Sequence, residues 1–304
     1  MTIDVREFRP EDAKGVAEVR RAALPYMVWR PESVLWEAER TPAAQRLRML
    51  VAEVDGQVVG ATEARLVQES SLPGQGHAVP VVRPEYRGQG IGSALLSAAE
   101  QYLLTVGCDA LYVWVSDDGH SPGFAERRGY RRRRAARFLQ RDLTEPLPVP
   151  PPLPAGARLR TAAGYDADPR PLYEADRECT LDEPGDVPAG PLRYEDWLAV
   201  CWGRPEWDRE LTSVVVVDGA VAAYSVAHTD GCDRYWSGMT GTRRAFRGRG
   251  LAKIAKHDSL TRSRAAGYTH AFTGNDAENE PMLAINQWFG YRPAAREWRY
   301  AKEL

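Results

Sequence analysis

Cysteine is scarce in this 304-residue chain, and its placement excludes two classes at once. The four cysteines, Cys108, Cys179, Cys201 and Cys232, stand far apart with no C-x-x-C spacing. They read as free thiols of a cytoplasmic protein rather than as a disulfide framework. Five scattered histidines give no metal motif. No stretch approaches the 18 apolar residues of a membrane span, so no membrane partner is expected. The opening Met1-Thr2-Ile3-Asp4-Val5-Arg6 lacks the basic start and apolar run of a signal peptide. Charge of one sign is lacking too. Lys and Arg total 40 against 42 Asp and Glu, a net charge of −2, so no global field draws the chain to nucleic acid. The run Arg131-Arg132-Arg133-Arg134 does not change this, because alternate strand residues face opposite sides and no aromatics are interleaved for base stacking. What remains, 43% hydrophobic and 27% charged residues, describes a globular chain long enough for two domains.

The stretch Arg87-Gly88-Gln89-Gly90-Ile91-Gly92 follows the extended run Ala78-Val79-Pro80-Val81-Val82. It precedes an amphipathic helix expected over about 90–106, with Ile91, Leu95, Leu96, Ala99 and Leu103 on one face. Glycines between a strand and a helix start let a phosphate approach backbone N–H groups that have no intrahelical partner. The Gly-Lys-Ser/Thr ending of a Walker loop is missing, and Gly88-x-Gly90-x-Gly92 is not the Gly-x-Gly-x-x-Gly of a dinucleotide site. The pattern present is Arg/Gln-x-x-Gly-x-Gly/Ala.

Arg247-Gly248-Arg249-Gly250-Leu251-Ala252 repeats it before a second long helix, at an offset of 247 − 87 = 160. Gly107 and Gly267 keep that offset, Asp55-Gly56 and Asp218-Gly219 differ by 163, and Gly129-Tyr130 and Gly290-Tyr291 by 161. Ordered anchors at one spacing mark a duplicated domain. The expected divisions are 1–144 and 157–304. The proline-dense 145–156 between them reads as a semi-rigid polyproline spacer.

Both loops resemble the pyrophosphate loop of the GNAT acyltransferase superfamily. The resemblance implies an α/β fold with a mixed sheet, two GNAT domains in tandem, and acetyl-CoA as co-substrate. It places the CoA site on Val82, Arg87, Gly88, Gln89, Gly90, Ile91, Gly92 and Ser93 in the first half. In the second half it places it on Thr240, Thr242, Arg247, Gly248, Arg249, Gly250, Leu251, Ala252 and Asn279. It further implies that the strand before each loop splays from the next to admit the pantetheine arm: Val79–Val82 from Leu111–Val115, and Met239–Thr242 from Thr269–Thr273.

The family's later motif usually supplies a tyrosine near the CoA sulfur. Aligned on Gly290-Tyr291, Asn286 stands at that position and Asn279 opens the motif; aligned on Gly129-Tyr130, Ala125 and Asp118 stand there. Asn286 is therefore the catalytic candidate, able to bond a thiolate but not to protonate one. The acceptor region of the second half carries Glu178, Asp182, Glu183 and Asp186 with Trp197, Trp202 and Trp207, which suit a cationic amine or form an acidic loop over a Trp-rich core. His228 reads as a general base or a structural histidine. Pro80, lacking an N–H, matches Thr240 in the gripping strand, and Asp118 places a negative charge near the thiolate. These differences assign the chemistry to the C-terminal half. The function expected is acetyl-CoA-dependent N-acetylation of a small amine; the alternatives are a non-catalytic CoA-binding or regulatory protein and a nucleotide-binding module.

Overall fold

The computed structural model describes residues 3–67, 73–184 and 192–304, which form two compact units. The first holds Met1–Ala136 and Ala295–Leu304; the second holds Arg137–Gly185 and Pro191–Ala294. No described helix is long and apolar enough to cross a membrane.

In the first unit the chain runs β1 (Asp4–Glu7), α1 (Ala13–Ala23), α2 (Pro31–Arg40), β2 (Arg48–Val54), β3 (Gln57–Leu66), β4 (Gln75–Ala78), β5 (Val81–Val82), α3 (Ile91–Thr105), β6 (Ala110–Ser116), α4 (Ser121–Glu126) and the start of β7 (Arg131–Asp142). Asp55 and Gly56 both take positive φ, as a two-residue I′ hairpin requires, and so set the β2–β3 register. α3 buries the stripe read from the sequence, Ile91, Leu95, Leu96, Ala99 and Leu103. Leu111, Val113 and Val115 of β6 join that core. Alternation then turns Tyr112, Trp114 and Ser116 to the opposite face of the sheet.

The second unit runs from the remainder of β7 through β8 (Ala157–Thr161), α5 (Arg170–Thr180), α6 (Tyr194–Trp197), β9 (Ser213–Val217), β10 (Ala220–Thr229), β11 (Arg234–Thr242), α7 (Leu251–Ala265), β12 (His270–Asp276) and α8 (Glu280–Trp288) to the start of β13 (Arg292–Glu303). Its sheet order is β8-β9-β10-β11-β12-β7, and that of the first unit is β1-β2-β3-β4-β6-β13 with β5 on β3. The orders match except for the last strand, which each unit takes from the other half of the sequence. The divisions expected at 144 and 157 differ from the observed units for this reason. β7 and β13 are corresponding strands of the repeat.

The proline-dense segment is also more than a spacer. It packs within the second unit along α7, running from that helix's C-terminal end to its N-terminal end. Arg264 donates to the Thr144 carbonyl (3.1 Å), and Arg141 donates to those of Glu145 (3.1 Å) and Pro146 (2.7 Å). Leu147 packs against the core that contains Leu143, Leu260 and Phe289. His257 hydrogen-bonds the Pro148 backbone, and Pro151 reaches Gly250 at the start of α7.

Candidate active site

Two glycine-rich turns open onto the N-termini of long helices. Gly88 and Gly90 (φ 76° and 89°) and Gly248 and Gly250 (φ 76° and 72°) are in the left-handed region that L side chains rarely adopt. Gly90 and Gly250 are the N-caps of α3 and α7, and no side chain caps either helix. The N–H groups of residues 91–93 and 251–253 are thus left to an external acceptor, with the helix dipole favouring an anion. A Cβ on Gly88 or Gly90 would meet nothing within 4 Å, whereas one on Gly250 would lie 3.7 Å from the Pro151 ring. The cradle chemistry fits a pyrophosphate in both units, but only the second loop has a strap beside it.

The other loop residues divide between lining and anchoring. Arg87 is held by the Val82 carbonyl (3.4 Å) and by Asp118 (3.2 Å), and Arg247 by the Thr242 carbonyl (3.1 Å) and Asp182. Burial alone would raise the Asp118 pKa, but the Ser121 and His120 N–H groups and Arg87 hold it below the usual carboxylate range. Arg244 and Arg247 do the same for Asp182. Gln89 and Arg249 are exposed at the loop tips, Ile91 and Leu251 are buried anchors, and Gly92 and Ala252 are partly exposed in the first helical turns. Ser93 accepts from Arg128. Thr240 is buried and shares a hydrogen bond with Ser225 (2.9 Å).

Behind each loop the expected wedge opens. β4 and β6 pair in parallel only from Gln75↔Ala110 to His77↔Tyr112, after which the chain pairs back onto β3 through β5. β11 and β12 pair only from Arg234↔His270 to Trp236↔Phe272, while β11 continues on β10 to Thr242. The splay therefore starts further along than expected. Leu111, Tyr112 and Thr269–Phe272 lie in the paired part or before it, so the second wall of each wedge is Val113–Ser116 or Thr273–Asp276.

The two wedges differ in what lies on the face away from α3 and α7. In the first unit that face is polar. Arg20 of α1 bridges Glu37 of α2 (2.9 Å) and Glu63 of β3 (3.2 Å). His77 lies 3.6 Å from Glu63, yet burial pushes its pKa down to about 3, so it stays neutral and the contact is not an ion pair. Arg299 stacks over Tyr112 and Trp114. Tyr26 donates to Glu297 of β13 (2.5 Å) and shares a hydrogen bond with Ser116 (3.1 Å).

In the second unit the matching positions are apolar. Trp236 stands where His77 does at the end of the ladder, and Phe272 where Tyr112 does. At the offset of 161, Phe138 matches Arg299. Phe138 and Trp236 are in ring contact at 6.0 Å and both close on Gly274. Trp197, Trp202 and Trp207 are buried and stack among themselves at 5.4 to 5.8 Å, with Tyr173 and Tyr224 beside them. Of the carboxylates read with them, Glu178 binds Arg243 (2.8 Å), Asp182 binds Arg244 and Arg247, and Glu183 has its pKa pushed up to about 7 by desolvation and the nearby Asp176; Asp186 lies outside the described residues. His228 is stacked edge-on against Trp207, and burial lowers its pKa to about 4.

Asn286 is wholly buried. Its Oδ1 accepts from Lys256 of α7 and its Nδ2 donates to Asn275 of β12, so one amide proton remains for any further partner. Asn279 caps α8, its Oδ1 accepting from the Met282 N–H (3.3 Å). Asn279→Ala should lower stability by about 1 kcal/mol, the usual effect of losing such a cap, measurable by urea titration. Sequence reasoning missed Glu297, Tyr26 and Ser116. Glu297 lies in a strand rich in charged residues, and its meeting with Tyr26 and Ser116 is a long-range contact that local pattern does not reveal.

Residues 16–130 match the model of the family described as Acetyltransferase (GNAT) family. Among solved structures, a GCN5-related N-acetyltransferase from Sphaerobacter thermophilus is similar over 99% of this chain and 95% of its own, at 22% identity and a TM-score of 0.73. A tandem GNAT protein from the clavulanic acid biosynthesis pathway matches over 99% of this chain and 98% of its own, at 20% identity and a TM-score of 0.73. A putative acetyltransferase from Pyrococcus horikoshii matches over 99% and 89%, at 13% identity and a TM-score of 0.58. These structural likenesses establish the fold, and the family match falls on the unit with the open cradle and the polar face. Residues 16–130 are thus a GNAT acetyltransferase-family domain, and the chain as a whole has the fold of tandem GNAT proteins.

Proposed function

We propose that the chain transfers the acetyl group of acetyl-CoA to a small amine and that the transfer takes place in the first unit. The observation that carries this is the contrast between the two faces behind the wedges. An acceptor amine must lose a proton as it attacks, and the carbonyl oxygen must be polarised, so the reacting face needs titratable and hydrogen-bonding groups. Around the wedge the first unit offers Tyr26, His77, Ser116 and Glu297; at the matching positions the second has Phe138, Trp236 and Phe272, while its buried Asp176 carboxyl is taken up by Trp197 and Tyr224 (both 2.7 Å). The C-terminal assignment drawn from Pro80, Asp118 and Ala125 weighs less than this contrast. Pro80 lies between β4 and β5, outside both ladders, and Asp118 is neutralised by Arg87. The N–H groups at the starts of α3 and α7 and the arginines beside them are the pyrophosphate ligands on this reading, with the Pro151 strap disfavouring the second site.

Calorimetry with acetyl-CoA should give one strong site per chain, and thiol release should follow on adding glucosamine, lysine or spermidine. Binding without release for any amine would favour the regulatory reading. No affinity for acetyl-CoA would overturn both.

A further inference from the structure

We infer that Glu297, brought into the first unit by the last strand of the chain, receives the proton of the acceptor amine through the Tyr26 hydroxyl. This rests on the reading that transfer occurs in the first unit. Three elements meet at the site. β13 places Glu297 directly opposite Ser116 of β6, in antiparallel register, on the face away from α3. The segment between α1 and α2 lays Tyr26 over both. The Tyr26 hydroxyl donates to Glu297 Oε1 at 2.5 Å and lies 3.1 Å from the Ser116 hydroxyl. With the Tyr26 proton committed to Glu297, the Ser116 hydroxyl donates to Tyr26, so all three groups point one way and end on the carboxylate. Ser116 is also on the free wall of the wedge, past the last β4–β6 pair, where a thioester entering from the cradle side meets the polar face.

Glu297 is only 3% exposed, and among the described residues no guanidinium or ammonium group bonds it. Burial is the first cause of a pKa pushed up to about 7, with the Tyr26 bond opposing it. A carboxylate with that pKa is a much better base near neutrality than an exposed one. The surrounding charges are paired among themselves: Arg20 with Glu37 and Glu63 from α1, α2 and β3, and Arg299 over the rings of β6, with His77 of β4 neutral and Asp118 paired with Arg87.

The step balances without a further reagent. The ammonium form of the acceptor gives one proton to Tyr26 as Tyr26 gives its own to Glu297. The freed amine attacks the thioester carbon, the C–N bond forms and the C–S bond breaks. A second proton from the same nitrogen passes to the departing thiolate, giving the amide and the CoA thiol. Glu297 then returns its proton to water.

The test compares wild type, Glu297→Gln, Glu297→Asp and Tyr26→Phe from pH 5 to 9, with acetyl-CoA and whichever of glucosamine, lysine or spermidine is acetylated best. Wild-type kcat/KM should rise with pH through an inflection near 7. Glu297→Gln should lower kcat about 100-fold or more and remove that acid limb, with acetyl-CoA affinity unchanged by calorimetry. Glu297→Asp should restore part of the rate with the limb present, which a purely structural role would not do. Tyr26→Phe, which leaves the ring in place, should lower kcat about tenfold. Glu297→Gln with a wild-type rate and pH profile would overturn the assignment and leave the acetyltransferase reading standing. A wild type that acetylates none of the amines would overturn both.

Discussion

Gly90→Asp is expected to abolish turnover, and Gly250→Asp to leave most of it. Both glycines cap a long helix at positive φ, so both variants carry the same backbone strain, of order 1–2 kcal/mol. An aspartate is otherwise welcome at a helix N-terminus, which keeps both variants folded and the comparison fair. The difference lies in what the new carboxylate faces. At residue 90 it enters open space where the N–H groups of α3 await a pyrophosphate. Two like charges about 4 Å apart near a protein surface repel by roughly 4 kcal/mol, about a thousandfold in affinity. At residue 250 it meets the Pro151 ring beside a loop that, on the present reading, does not serve the reaction. Turnover on an accepted amine and acetyl-CoA calorimetry should be measured on both, after matching their thermal melts. Loss of activity in Gly250→Asp alone would reverse the assignment of the working unit, and loss in both would mean that the two units act together.

Much of this architecture was legible because local pattern dictates it. The apolar stripe of α3, the Asp-Gly hairpins and the glycines ahead of each long helix are short-range signals, and the duplication made each appear twice. The wedge followed from the resemblance, though its starting point did not, since parallel pairing persists through Tyr112 and Phe272 by contacts that no periodicity reveals. The strand exchange was not legible at all. β7 and β13 carry similar alternation, and choosing the sheet each joins is a long-range decision. The consequence falls on the site itself. In the sheet that β13 joins, Glu297 is a buried carboxyl under Tyr26. The proline segment shows the same limit. Its composition specifies an extended backbone, but His257, Arg264 and Arg141 decide that the backbone lies on α7.

Asn286→Ala should destabilise the protein by about 2 kcal/mol at pH 6 and by about 1 kcal/mol at pH 9. Lys256 is 1% exposed, its ammonium donates to Asn286 Oδ1, and its nearest other partner is the Tyr291 ring at 4.9 Å. Burial lowers its pKa to about 7. An unfolded lysine holds its proton to about pH 10.5, so between 7 and 10.5 the unfolded chain binds the extra proton. This group's contribution to stability therefore rises with pH across that window, by up to roughly 1.4 kcal/mol per unit, and is flat below 7 where both states are protonated. Removing the Asn286 carbonyl at pH 6 takes the acceptor from a buried ammonium, which with a pKa of about 7 can give up its proton for about 1.4 kcal/mol, so the charge adds up to that amount to the hydrogen bond lost. At pH 9 the native amine is neutral and only an ordinary hydrogen bond is lost. Adding Lys256→Met should recover most of the loss at pH 6 and flatten the alkaline rise. Urea titrations at the two pH values decide the matter. An equal loss at both would mean that Lys256 is neutral throughout, and an undiminished stability with lowered turnover would return Asn286 to the thiolate-binding role read from its place in the motif.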